Sequence, residues 1–378
     1  MTSSIVYLDG FGLAATAAYS IRFIRDYFRS KKAVSGPKAT SLLDIFSRHA
    51  NCPHALVSLG PESMAWRSGD DAAGVSFIEG GKFWLAAGDP IAEPSARAAA
   101  ARDFAAAARA KNRMPVFLPS TEEFARQMRD EGWSCLKLGA SPYFDLETWN
   151  PRGNVARHLR SSVNKAIVAG VTVTESKDIH SLRSELDSLC SGWLKTRPAG
   201  TSFGWLFALN PMGNAGYKRF YVARDKEGAL VGLLAASPIP SRNGWYLEDV
   251  IRAPGSAAGV CDILVYNVLR SLQSEGFKTA TLGTVLLTDD GEDFTSAGDW
   301  EATQRNLKIA KRVLSGFYNF DGLHHFKVKF VPTRWEAEYL VLPEAGNALH
   351  PLRITMAAMK AIMPRGIWPI IRYLITHR

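Results

Sequence analysis

One oppositely charged pair and one positively charged pair stand out in this sequence for the chemistry they could perform. Asp249 and Arg252 lie three residues apart near the end of an alternating apolar stretch, Trp245 to Ile251. A carboxylate there could take a proton, and a guanidinium could steady an oxyanion or a phosphate. In a regular strand the two would face opposite sides, because successive side chains alternate. Convergence would require a twist or bulge near Ile251, which Ala253-Pro254 makes reasonable. Catalytic pair and structural ion pair both stay open on these residues alone. Lys327 and Lys329 alternate with Phe326, Val328 and Phe330, so a strand would carry both lysines on one face. Paired lysines suit a phosphate as point charges, and a solvated strand face is the plain alternative. His324 and His325 adjoin them.

Arg252-Ala253-Pro254-Gly255-Ser256-Ala257 spells R-x-x-G-x-A, a short pattern found in the pyrophosphate loop of coenzyme A-dependent N-acyltransferases. A glycine turn that feeds a helix is an anion site, since backbone N–H groups and the helix dipole converge there. The pattern by itself is weak.

These residues need elements to hold them. Trp245 to Leu287 reads as strand, glycine-containing turn, helix and strand, the helix running through Ile263 to Leu272 and closed by Gly276. An earlier stretch follows the same order: Trp84, then Gly88-Asp89-Pro90, an alanine-rich helix capped by Ser95 and running to Lys111, then Val116-Phe117-Leu118. The echo predicts a duplicated α/β unit. Short strands are expected near Ala55 to Leu59, Ser63 to Arg67, Gly74 to Glu79, Lys82 to Ala87 and Trp133 to Leu138. Further strands are expected at Arg219 to Arg224, Leu230 to Ala236 and Thr279 to Leu287. Two helices carry clustered basic residues, Asn154 to Ala169 with Arg157, Arg160 and Lys165, and Glu301 to Leu314 with Arg305 and Lys308. Either would grip nucleic-acid phosphates or stand as a solvated face.

With 378 residues the chain is long for one core, and two domains are expected. The natural joint is Asn150 to Gly153. The predicted division is 1–39 (an amphipathic helix, Leu13 to Lys32, and linker), 40–150, 151–345, and a basic apolar tail, 346–378. The net charge of +9 points to an anionic partner, a membrane surface or a nucleic acid. Four cysteines, Cys52, Cys135, Cys190 and Cys261, are scattered without a CxxC spacing, which disfavours a zinc site and favours a reducing cytoplasm. No run reaches the roughly 18 apolar residues of a spanning helix, and a signal peptide is not expected. The segment Ile354 to Ile375 mixes apolar and basic residues, broken by Pro364 and Pro369, as an interfacial anchor would.

The sequence resembles the catalytic domain of the lysylphosphatidylglycerol synthases (multiple peptide resistance factors). The resemblance rests on Asp249-Val250-Ile251-Arg252 with Pro254, Gly259 and Asp262, then Leu282-Gly283. It continues in Phe317-Tyr318-Asn319-Phe320-Asp321-Gly322-Leu323, Phe326-Lys327-Val328-Lys329-Phe330 and Trp335. Gly88-Asp89-Pro90 and Gly132 to Gly139 match more weakly. It spans about residues 40 to 342. It implies an α/β fold of tandem acetyltransferase-like (GNAT) domains. The implied activity moves an aminoacyl group from aminoacyl-tRNA, as co-substrate, to the hydroxyl of phosphatidylglycerol, with no other cofactor and no metal. It also implies Asp249 and Arg252 at the reaction centre. Lys327 and Lys329 would then bind the lipid phosphate, and Arg157, Arg160, Lys165, Arg305 and Lys308 the tRNA. An anionic membrane lipid is the expected partner, met by peripheral contact at the cytoplasmic face of the membrane. Two departures are visible: the flippase half of the larger members has no counterpart here, and Thr284-Val285-Leu286-Leu287 lacks the proline usual in that segment.

Overall fold

In the first half of the chain, small apolar residues at helical spacing and β-branched or aromatic residues at period two fix the elements. The computed structural model describes residues 37–196, 205–293 and 319–343. Helices α1 (Leu43–His49) and α2 (Ala55–Ser58) precede strands β1 (Met64–Arg67), β2 (Gly74–Gly80) and β3 (Phe83–Ala87). Helix α3 (Arg97–Ala110) buries Ala98, Ala101, Phe104, Ala105 and Ala108, one continuous stripe. Strand β4 (Met114–Thr121) runs into α4 (Glu122–Asp130), whose first turn is capped by the Thr121 hydroxyl at 3.3 Å from the Phe124 N–H. Strand β5 (Ser134–Asp145) ends the first unit.

The second unit holds α5 (Arg157–Val168), β6 (Thr172–Ser176), α6 (Arg183–Lys195), β7 (Arg219–Arg224), β8 (Leu230–Ile239) and β9 (Gly244–Arg252). It continues with α7 (Val260–Ser274), β10 (Thr279–Thr281), β11 (Val285–Leu286), α8 (Phe320–Val328) and β12 (Arg334–Leu342). The expected duplication is present in register. β3 pairs parallel with β4 across α3, with Trp84 opposite Pro115 and Leu85 opposite Val116. β9 pairs parallel with β10 across α7, with Trp245 opposite Ala280 and Tyr246 opposite Thr281. The fold is two acetyltransferase-like α/β units.

Among the described residues all strands join one mixed sheet in the order β1-β2-β3-β4-β12-β5-β10-β9-β8-β7-β6, with β11 added to β5. The division at residue 150 is therefore not spatial. β12 comes from the span assigned to the second domain yet lies between β4 and β5, antiparallel to both. Those two strands run the same way and leave a gap that an antiparallel strand fills. Because β10 is antiparallel to β5, the β9–β10 pair points opposite to the β3–β4 pair.

Several local expectations are corrected. Ala55 to Leu59 is helical, a short apolar run whose period could not decide its state. Helix α3 starts at Arg97 after a 3-10 turn at Pro94–Ala96, with no side-chain cap from Ser95. Thr279 to Leu287 is two strands, interrupted at Leu282 to Thr284. Phe326 to Phe330 is not a strand. The Asn319 side chain caps α8 by accepting from the Gly322 N–H at 2.7 Å, and Phe326 meets Phe330 at a centroid distance of 5.1 Å. Residues four apart satisfy a period of two as well as a helical turn, which is why the lysine alternation misled. The N-terminal helix, Arg305, Lys308 and the 346–378 tail lie outside the described residues.

Candidate active site

Strand β9 is bulged. Ala236 pairs with Leu247 and Ala235 with Asp249, so Glu248 is an extra residue. Before it, Leu247 packs into the cluster around α7. After it, Ile251 packs into the cluster around α6. The bulge thus turns two neighbouring carboxylates, Glu248 and Asp249, to the same face. Glu248 is bonded by Lys218, an almost fully buried ammonium, and accepts from the Ser237 hydroxyl at 2.6 Å. Lys218 also donates to the carbonyls of Asn210 and Pro211 at 3.3 Å. The ammonium pairs with Glu248, and its charge also reaches Asp249. Asp249 is half-buried by exposure but densely surrounded, and its pKa is raised well above the carboxylate range, first by burial and then by Glu248; Lys218 and the Asn210 N–H oppose the rise.

The bulge lies before Asp249, not near Ile251, and from Asp249 to Arg252 the pairing with β8 is regular. Asp249 and Arg252 therefore point to opposite faces and share no ion pair. Arg252 is exposed and bonds the carbonyl and hydroxyl of Ser256 at 3.2 and 3.4 Å, within the loop that leads to α7. The loop closes on Gly259, which caps α7 with φ +91; a Cβ there would stand 2.1 Å from the Ser162 carbonyl of α5. Asp262 sits in the first turn of α7, paired with Lys329. A protein carboxylate already occupies the positive end of that helix.

Beside β9 the two parallel strands part after the Tyr246–Thr281 pair. Gly283, at φ +72, lets the chain turn away under the Tyr246 ring, where a Cβ would approach to 2.5 Å. Into the space comes a buried polar cluster drawn from both units. Lys327, 5% exposed, donates to the carbonyls of Gly283 and Thr284 at 2.7 and 2.9 Å. Burial lowers its pKa to about 7, against the attraction of Glu338. Glu338 of β12 accepts from the Ser141 hydroxyl of β5 at 2.8 Å, and burial raises its pKa to about 7. His54, just before α2, lies against Tyr246 with ring centroids 5.2 Å apart and planes tilted by 53°, and its Nε2 is 3.5 Å from the Thr284 hydroxyl. Burial, then the charge of Lys327, lowers its pKa to about 3, so it is a neutral imidazole.

The structure separates the two lysines. Lys327 is enclosed beneath the Gly283 turn, while Lys329 sits at the end of α8 against Asp262 and the rings of Phe326 and Phe330. A helix turns successive side chains by about 100°, so they do not form a joint phosphate face. His324 is held by Asp290 at 2.7 Å and stacks on Trp335. His325 meets the Asp321 carbonyl at 2.6 Å. Arg157, Arg160 and Lys165 are exposed on α5. Sequence reasoning missed His54, Lys218, Thr284 and Glu338. No local signal marks them, since their partners lie far along the chain.

A mixed sheet of two acetyltransferase-like units, with a bulged acidic strand at the second crossover, defines the class of fold. Residues 47–342 match the family model described as phosphatidylglycerol lysyltransferase, C-terminal. The chain belongs to that family. It is similar to the lysylphosphatidylglycerol biosynthesis bifunctional protein of Mycobacterium avium, 23% identical over 328 residues, covering 84% of this chain and 27% of the relative. It is also similar to the phosphatidylglycerol lysyltransferase of Bacillus subtilis, 25% identical over 257 residues, covering 67% and 29%. The chain thus spans under a third of the length of these relatives. Among solved structures, L-PGS from Bacillus licheniformis superposes with a TM-score of 0.72 at 20% identity, over 89% of this chain and 99% of that one. A C-terminal DUF2156 domain from Agrobacterium fabrum gives 0.70 at 21% identity, over 86% and 95%.

Proposed function

We propose that this chain transfers an aminoacyl group from aminoacyl-tRNA to a hydroxyl of phosphatidylglycerol. The observation that carries this reading is the β9 bulge, which sets Asp249 beside Glu248, itself held by the Lys218 ammonium. Asp249, made more basic by its surroundings, takes the proton of the lipid hydroxyl as its oxygen attacks the ester carbonyl. The ester bond to the tRNA ribose breaks, and the released ribose oxygen receives the proton. Arg252 points to the other face of β9, so it meets the lipid phosphate from around the exposed end of the strand. Lys327 holds the Gly283 turn open rather than contacting lipid. Peripheral attachment to the cytoplasmic membrane face, aided by residues 346–378, belongs to the same reading, as does tRNA contact through Arg305 and Lys308.

The sequence raises two alternatives, a non-catalytic membrane or RNA adaptor and, from Arg252 to Ala257, a coenzyme A-dependent N-acyltransferase. The adaptor predicts no product with charged tRNA or with acyl-coenzyme A. Asp262 in the first turn of α7 weighs against the N-acyltransferase, because a pyrophosphate would meet a carboxylate at that helix end. The test is incubation of the purified chain with charged tRNA and phosphatidylglycerol, or with an acyl-coenzyme A and an amine. Aminoacylated lipid in the first mixture is expected. Acylation only in the second, or no lipid product with any charged tRNA, overturns the proposal.

A further inference from the structure

Helix α5 presents a face that combines two kinds of side chain. From Pro151 to Thr174 the chain has no carboxylate, and Arg152, Arg157, Arg160 and Lys165 are exposed. Charge alone would suit RNA phosphates as well as lipid. The aliphatic side chains decide between them. Five large hydrophobic residues are exposed among the described residues: two belong to this helix, Ile167 at 56% and Val168 at 79%, and a third, Val155 at 74%, lies just before it. Val168 lies eleven residues after Arg157, on one line of the helix with Ser161 and Asn164, so guanidinium and aliphatic group face the same plane. An RNA backbone of phosphate and ribose offers nothing to an exposed valine. The interface of an anionic bilayer takes both.

The placement adds a second argument. Ser162 of α5 abuts Gly259 at the start of α7, and the exposed Val328 (41%) precedes Lys329, which pairs with Asp262 one turn further on. Ile167 and Val168 adjoin Ala166, which with Ser162 meets Gly259, and Val328 precedes Lys329, so three of the five exposed hydrophobics lie on elements that meet the first turn of α7, beside the loop that carries Arg252. We propose that α5, with Val328, docks this protein on an anionic lipid surface, bringing a headgroup in the bilayer plane next to Arg252. The docking deepens the function proposed above, resting on it only for what then happens to the headgroup. It moves Arg157, Arg160 and Lys165 from tRNA to lipid.

The experiment sediments the full chain with vesicles of mixed phosphatidylglycerol and phosphatidylcholine, and measures affinity for tRNA separately. Exposed positions leave folding unchanged. The Ile167→Ser/Val168→Ser variant should lose about tenfold in vesicle partition while keeping its tRNA affinity. The Arg157→Glu/Lys165→Glu variant should lose at least as much, most clearly at low salt. The serine variant should also keep wild-type turnover on detergent-dispersed lipid and lose it on vesicles. If the serine variant sediments like wild type, the proposal fails. It fails equally if the charge reversals abolish tRNA affinity and leave vesicle binding intact, the result expected of an RNA face. Absence of any lipid product from wild type would overturn the enzymatic reading alone, since sedimentation still decides the docking.

Discussion

The two strand–turn–helix crossovers share a register but treat their carboxylates in opposite ways. In the first unit β3 and β4 stay paired over five positions, and Asp89 in the turn beyond them is buried. It accepts from the Thr121 N–H at 2.9 Å, the Thr121 hydroxyl at 2.6 Å and the Asn51 amide at 2.8 Å. Every lone-pair direction that matters is answered by a fixed neutral donor, so the strands are stapled and the carboxylate has nothing left to do. Beyond it lies a cleft of about 1330 Å³, whose Arg242 and Arg334 both bond Glu336 and lie over the Tyr143 ring. In the second unit β9 and β10 part after three pairs, and the carboxylates nearby are under-compensated. One copy of the duplication has become a brace. The other has kept a titratable opening.

The sharpest way to break this comparison is to remove one carboxylate from each copy. Asp249→Asn should lower lipid aminoacylation by about two to four decades, the scale of losing a general base, with a melting temperature near wild type. Arg252→Ala should fall in the same range if it receives the phosphate. Near-normal turnover in either variant would remove that residue from the site. Asp89→Ala should do the reverse. Leaving the Thr121 N–H and the Asn51 amide without their acceptor should cost about 2–4 kcal/mol in denaturant unfolding, with turnover per folded molecule preserved. A loss of turnover at unchanged stability would make the first copy catalytic and dissolve the contrast.

Gly283→Ala probes the parting of the strands. The alanine would sit at φ +72 against the Tyr246 ring, a strain of about 1–3 kcal/mol. A variant as stable as wild type would show that the turn relaxes freely and that the opening is not held by this contact.

Much of this arrangement was legible in the residues. Trp84 and Trp245 mark the same register position of two right-handed crossovers, because a parallel pair demands a helix between its strands and the pattern must recur. Asp249 could be singled out by type and position. The partners that give it meaning could not. The bulge at Glu248 depends on how β9 meets β8, and because it lies before Asp249 it leaves Asp249 and Arg252 on opposite faces. Lys327 and Lys329 were misplaced because Phe326 and Phe330 fit either period. The insertion of β12, which delivers Glu338, is a long-range pairing with no local trace. His54 is the clearest case: nothing in Asn51 to Leu56 hints at Thr284 or Lys327.

His54 also supplies the smallest and most specific test of the contrast, since it comes from the first unit but is buried in the opening of the second. Its imidazole is held neutral, with a pKa of about 3 in the fold against about 6.5 when unfolded. The folded state therefore binds fewer protons between those values, so stability is complete above about pH 6.5 and falls as pH drops toward 3. Between pH 6.5 and 5.5 that loss amounts to about 1 kcal/mol. His54→Gln removes the titrating group while keeping a polar side chain near Thr284. Unfolding free energies measured at the two pH values should fall by about 1 kcal/mol more in wild type than in the variant. Parallel curves would mean that the imidazole charges freely in the fold. The second opening would then be as inert to protons as a brace.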